Sequence, residues 1–213
     1  MMSFQLIDYE NWKRKSHFES ISQKDPSLIN MTVSINITGL KRYLSDHSMH
    51  IYPFLIACIS MVINEFDEFK MAFDENFHLG VYDIIHPSYT IFHKDDQTFS
   101  CIYTKSYNDI DSFYNAIVRD MERFRFVKGF ETRTAPKNSF PISCIPWVTY
   151  TGYSIIELKE KRTFTPYVII GRFFYQNSEL QLPVTMQISH SIADGYHVCM
   201  FFQKLQKLLN SYK

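Results

Sequence analysis

Apolar and polar positions alternate over a first clear stretch, where Val33, Ile35 and Ile37 are separated by Ser34, Asn36 and Thr38. That period of two predicts a strand with one buried face. Thr38 or Gly39 then opens a short helix through Leu40, Tyr43 and Leu44. Pro53 fits the first turn of a second helix, where its missing N–H costs nothing. Phe54, Leu55, Ile56, Ile59, Met61, Val62 and Phe66 cover most of that helix, which predicts burial all round. Residues 70–73 and 78–82 flank Asp74-Glu75-Asn76, and residues 89–93 and 98–103 flank Lys94-Asp95-Asp96-Gln97; both read as hairpins. Asn108 or Asp109 caps a helix carrying Ile110, Phe113, Ile117, Val118 and Met121 on one face. Residues 128–139 read as loop and residues 144–156 as strand. Residues 167–175 and 180–188 form a third hairpin across residues 176–179, and Asp194 caps a last helix with Val198, Phe201, Phe202, Leu205, Leu208 and Leu209 along one side. Near the start, residues 8–18 form a short polar helix or turn. The expected class is α/β, with a mixed, largely antiparallel sheet and helices packed on it.

Composition narrows what such a fold can do. The 213 residues show no repeat and no Pro-, Gly- or Ser-rich linker, so one domain over residues 1–213 is expected. Lys plus Arg and Asp plus Glu both number 22, which excludes the uniform basic field that nucleic-acid or anionic-membrane partners need. Six glycines leave little room for a Gly-rich phosphate loop. No secretory signal is visible at the first residues, and the apolar stretch 51–63 falls short of the ~20 residues of a membrane span. Cys58, Cys101, Cys144 and Cys199 form no CxxC pair, so neither a zinc site nor a disulfide framework is expected, and a reducing cytoplasm suits the chain. His17, His93 and His197 have no spacing that converges on a metal and read as packed or surface residues.

Chemistry concentrates in Ser189-His190-Ser191-Ile192-Ala193-Asp194-Gly195-Tyr196-His197. A strand ends just before it and a helix starts within it. An imidazole at such a junction can face a cleft and exchange a proton near neutral pH. Read by itself, the HxxxD spacing fits equally a hydrogen-bonded junction histidine and an aspartate that only caps the helix.

HxxxDG after an apolar strand, near the C-terminus of a chain this long, resembles the chloramphenicol acetyltransferase family. Further segments in the same order share the resemblance: residues 11–19, residues 68–72, residues 86–93 followed by Gln97-Thr98-Phe99-Ser100, Tyr52-Pro53 and Ile145-Pro146-Trp147. The resemblance spans the whole chain. It implies the CoA-dependent acyltransferase fold, a homotrimer with active sites between subunits, and acetyl-CoA as acyl donor to a small-molecule hydroxyl acceptor, chloramphenicol. It matches His190 to the general base, and Asp194 and Arg14 to a buried structural ion pair. Ser143, four residues before Trp147, is matched to the hydroxyl that stabilises the oxyanion. Tyr89, Thr90, Phe99, Ser100, Tyr153 and Ile155 fall where the family lines its acceptor pocket, and Phe173 falls on the CoA side, where a tyrosine is usual.

The chain departs from the pattern at several places. Ser189 replaces the first of two adjacent histidines, and Ile169 replaces a threonine that binds water near the transition state. Ser20, Ile21, Asp25 and Ser27 alter the acceptor-side loop. These differences keep two other functions in view. One is an acetyltransferase of the same mechanism with another small alcohol or thiol as acceptor. The other is a non-catalytic trimer that binds small apolar molecules.

Overall fold

Strands whose alternate residues are apolar need a cover on one face, and here helices supply it. The computed structural model describes residues 3–23, 26–156 and 164–213. In chain order it has β1 (Phe4–Leu6), α1 (Lys15–Gln23), β2 (Leu28–Asn36), α2 (Thr38–Asp46), α3 (Ile51–Asn64), β3 (Met71–Phe73), β4 (Leu79–Tyr82), β5 (His86–His93), β6 (Thr98–Tyr103), α4 (Ile110–Phe124), β7 (Ser139–Cys144), β8 (Tyr167–Ile170), β9 (Phe174–Gln176), β10 (Glu179–Ser189) and α5 (Gly195–Leu209). A 3-10 turn, Asp67–Lys70, leads into β3.

The large sheet runs β2-β10-β8-β7-β5-β6, with β9 also pairing β10. The β5–β7 and β7–β8 pairs are parallel and the others antiparallel, so the sheet is mixed and largely antiparallel, as the hairpin pattern predicts. A small antiparallel sheet, β1-β4-β3, stands apart. Along β10, Leu180, Leu182, Val184, Met186 and Ile188 are buried in the core, while Gln181, Thr185, Gln187 and Ser189 take the other face. The register carries this alternation sideways: Val184 lies opposite Val33 and Ile170, and Met186 opposite Met31 and Val168. Helix α3 contacts both α4 and α5, and α5, α4 and α2 reach β2, β6 and β10 in turn. One continuous cluster of buried side chains joins these helices to the sheet.

Local signals place the helices. Pro53 sits in the first turn of α3. The Asp109 carboxylate accepts the Ser112 N–H at 2.8 Å and starts α4. No helix among the described residues is long and apolar enough to cross a membrane. Cys58 is buried, Cys101 and Cys144 are half-buried and Cys199 is exposed, all as free thiols.

Three expectations need correction. The strand expected over residues 144–156 lies earlier, at Ser139–Cys144. The Ile145 N–H still bonds Ile170 O, but Pro146 has no N–H to continue the ladder, and the strand ends there. The strand expected over residues 167–175 is two strands. Between the Ile170–Val184 and Phe174–Gln181 pairs, residues 171–173 face only residues 182–183. The Gly171 N–H bonds Pro183 O at 2.9 Å, and Pro183 has no N–H to return, so the ladder bulges there. A Cβ on Gly171 would stand 2.6 Å from the Tyr150 ring and 2.7 Å from Pro183, which explains the glycine. The N-terminal helix runs over Lys15–Gln23 rather than residues 8–18. The preceding β1, three residues of β4's partner strand, was too short to carry a visible alternation.

Candidate active site

Between β10 and α5 the chain makes a closed turn. Ser189 O accepts the N–H groups of both Ile192 and Ala193 at 3.4 Å. The Ser189 and Ser191 hydroxyls bond each other at 2.8 Å. The His190 N–H donates to Ser27 O at 2.9 Å and ties the turn to the segment before β2. Ile192 and Ala193 are buried, which anchors the turn to the core.

His190 projects from this turn with its side chain 38% exposed. Its Nδ1 lies 3.1 Å from Ala193 O. A carbonyl only accepts, so Nδ1 carries the hydrogen and Nε2 keeps its lone pair. Asp194 Oδ1 is 3.5 Å from the same Nδ1. Asp194 caps α5 in a reciprocal capping box with His197. Its carboxylate is gripped by both terminal nitrogens of Arg14, the Nη2–Oδ1 bond being 3.0 Å. That guanidinium, whose side chain is 13% exposed, holds the Asp194 carboxyl below the usual carboxylate range, with the nearby histidines adding to the effect. The predicted triplet of His190, Asp194 and Arg14 is therefore together in one place.

The other predicted residues divide into two groups. Tyr153 and Ile155 lie beside β2 and β10, toward the His190 end of the sheet order. The Tyr153 carbonyl accepts from Asn30 Nδ2 at 2.8 Å, and the Gln187 amide clasps both the N–H and the carbonyl of Ile155. Ser143, Thr90 and Phe99 lie toward the opposite edge. Ser143 is half-buried at the end of β7. Thr90 neighbours it one residue past the Tyr89–Ile142 pair. Phe99 is 46% exposed and meets Phe130 edge to face at 5.7 Å.

Two residues expected to line the acceptor pocket do not reach a surface. Tyr89 is 1% exposed on the helix-covered face, and its hydroxyl pairs with Thr104 Oγ1 at 2.7 Å. Ser100 is fully buried and its hydroxyl pairs with His93 Nε2 at 3.0 Å. Both belong to the core, because buried hydroxyls need an internal partner and have found one.

Ser143 and His190 are also far apart within the chain. Ser143 pairs with Ile169 and Ile169 with Thr185, five residues before His190. Two strand spacings and five residue rises make roughly 15–20 Å. A base and an oxyanion donor must each approach the reacting atoms to about 3 Å, so these two cannot share a substrate in one protomer.

The departures have definite environments. Ile169 is fully buried, and the Tyr150 hydroxyl donates to its carbonyl at 3.0 Å while accepting from Thr185 Oγ1 at 3.4 Å. Phe173 is partly exposed, with Lys41 Nζ 5.9 Å from its ring centre. Ser20 is exposed on α1 with Ile21 half-buried beside it, Ser27 O holds the His190 N–H, and Asp25 lies outside the described residues. Beside Tyr150, a hollow of about 400 Å³ is lined by Thr32, Ser34, Thr149, Thr151 and Phe174. No cluster of three or more His, Cys, Asp or Glu that could hold a metal occurs among the described residues.

One site residue escaped the sequence reading. His197 reads there as packed or exposed, yet its Nδ1 accepts the Asp194 N–H at 3.0 Å. Its position three residues after a cap, where Glu or Gln reciprocates in a capping box, was the available signal.

Comparisons with known proteins identify the family of the chain. The model of the chloramphenicol acetyltransferase family matches residues 2–206. A chloramphenicol acetyltransferase of Clostridium perfringens is 37% identical over 213 residues, covering 100% of this chain and 97% of that protein. One of Clostridium butyricum is 35% identical with the same coverage. A solved structure of a chloramphenicol acetyltransferase, 23% identical, superposes with a TM-score of 0.87 over 97% of this chain and 100% of that one. A second, from Azotobacter vinelandii dihydrolipoamide acetyltransferase, gives 0.68 over 91% of this chain at 13% identity. The full-length family match and the relatives above one-third identity establish that this chain belongs to the chloramphenicol acetyltransferase family.

Proposed function

We propose that the protein transfers the acetyl group of acetyl-CoA to a hydroxyl of chloramphenicol, inactivating the antibiotic, with His190 as general base. The observation that carries the base assignment is the His190 Nδ1 bond to Ala193 O, which leaves Nε2 as a proton acceptor on a partly exposed ring. As the acceptor oxygen attacks the thioester carbonyl, Nε2 takes its proton. The carbon–sulfur bond of the resulting tetrahedral adduct breaks, and the CoA thiolate leaves with the proton returned by the imidazolium. A positioned base of this kind is worth ~10²–10⁴-fold. The Ser143 hydroxyl donates to the oxyanion, Arg14 and Asp194 hold the turn, and Phe173 lies on the CoA side.

Homotrimer assembly supplies what the single chain separates. The span between Ser143 and His190 supports a site completed by a second copy, as do the exposed Phe92, Phe99 and Trp147 beside the Ser143 edge. In that site, Thr90 and Phe99 come from the Ser143 side and Tyr153 and Ile155 from the His190 side. The four free thiols suit a reducing cytoplasm. Residues 1–213 act as one acetyltransferase domain.

The test is release of free CoA thiol from acetyl-CoA by the full chain, with chloramphenicol and with unrelated small alcohols and thiols as acceptors. Chloramphenicol is expected to be acetylated far faster than the others, and a rate no better than theirs overturns the acceptor. Wild-type turnover by His190→Ala overturns the base. A monomer in sedimentation that remains fully active overturns the shared site.

A further inference from the structure

The base is held through a single peptide unit, and that unit is held from its other end. The carbonyl of the Ala193–Asp194 peptide takes the hydrogen of His190 Nδ1 at 3.1 Å. The N–H of the same peptide donates to His197 Nδ1 at 3.0 Å. Two imidazoles thus bond opposite edges of one planar group. His197 Nδ1 accepts, so its hydrogen sits on Nε2, which lies 3.4 Å from Glu68 Oε1 on the 3-10 turn before β3. The His197 and Glu68 side chains are only 16% and 28% exposed, so water competes little for this contact. The two hydrogen bonds on this peptide polarise each other, and the Glu68 carboxylate stands close behind His197 Nε2.

Taking His190 as the base proposed above, we infer that His197 and Glu68 are positioning residues for the acetyl transfer. His197 fixes the plane of the Ala193–Asp194 peptide, and that carbonyl fixes the direction and tautomer of His190. The Asp194 N–H sets the tautomer of His197, and the Glu68 carboxylate 3.4 Å from Nε2 favours the same tautomer electrostatically. Arg14 does not substitute, because it grips the Asp194 side chain and bonds neither the carbonyl nor the N–H of that peptide. A small misdirection of a reacting group can cost up to ~10²-fold in rate.

The experiment is steady-state kinetics of the full chain with acetyl-CoA and chloramphenicol, alongside thermal unfolding. His197→Ala is expected to lower kcat by about 10–100-fold with both KM values near wild type. His197→Asn presents an acceptor at the δ position and is expected to recover most of that loss, whereas His197→Gln presents its polar atoms one bond further out and is not. Glu68→Ala is expected to lower kcat less than His197→Ala, and Glu68→Gln, which keeps an oxygen dipole beside Nε2–H, less still. Should His197→Ala fail to fold, the Asn and Gln variants decide, with Asn expected about 10-fold faster or more. Wild-type kcat in His197→Ala, a loss confined to KM, or equal kcat for the Asn and Gln variants overturns the inference. Wild-type turnover in His190→Ala instead overturns the reading of His190 on which it rests, so the two failures are distinguishable.

Discussion

The two faces of the seven-stranded sheet share every backbone bond and differ in almost everything else. On the helix-covered face, Ile142, Val168, Ile170, Val184 and Met186 are all buried in one apolar cluster. On the other face, the same strands carry Ser143, Ile169, Thr185 and Gln187, where the Thr185 hydroxyl pairs with Thr32 at 2.7 Å and donates to Tyr150. Alternation lets half of each strand make the fold and frees the other half for chemistry. The covered face is finished within the chain. The open face keeps a hydroxyl row and large aromatics, and it is there that the expected oxyanion donor and the clasp on Ile155 lie.

That contrast can be broken or sharpened by substitution on each face. Met186→Ala, on the covered face, is expected to cost about 2–5 kcal/mol of stability, read by denaturant unfolding, from lost burial and the cavity left behind. A cost within error of zero would mean that this face is not the core. Ser143→Ala, two strands away on the open face, is expected to leave unfolding unchanged and to lower kcat by ~10²–10³-fold, as loss of one oxyanion donor does. Unchanged kcat would remove Ser143 from the reaction. Gln187→Ala, next to Met186 but on the open face, is expected to cost about 1–2 kcal/mol through its two bonds to Ile155, with a raised acceptor KM. Loss of stability as large as that of Met186→Ala would erase the distinction between the faces. The smallest expected effect is on the acid limb. The carboxyl of Asp194 is depressed by Arg14, so its contribution to stability is full above the unfolded carboxylate range and fades as pH falls through the folded value. Asp194→Asn is expected to flatten that limb, and an unchanged pH profile of unfolding would show that the pair does not couple to folding.

The legible parts of the molecule are those where one local rule decides. Period-two and helical spacing placed β10, α3 and α5, and the caps at Asp109 and Asp194 followed from side-chain chemistry. The position of Ser143 on its strand could be read, but not its distance from His190, because that depends on which strands lie between them in the sheet. Tyr89 and Ser100 look like any strand aromatic or serine until the register shows which face they take. His197 was missed because histidine is not the usual partner in a capping box, although its Nδ1 does the same work as a glutamate oxygen.

The bulge at residues 171–173 has an outcome beyond the break in the ladder. In β8 the even-numbered residues Val168 and Ile170 point to the core, but the surplus residue inverts the parity, so that Phe174 pairs with Gln181 and turns outward. That is how Phe174 comes to wall the hollow shared by Thr32, Ser34 and Tyr150. Were the ladder regular over the same residues, Phe174 would fall opposite Leu180 and turn under the sheet toward the helices, and the hollow would stand open on that flank.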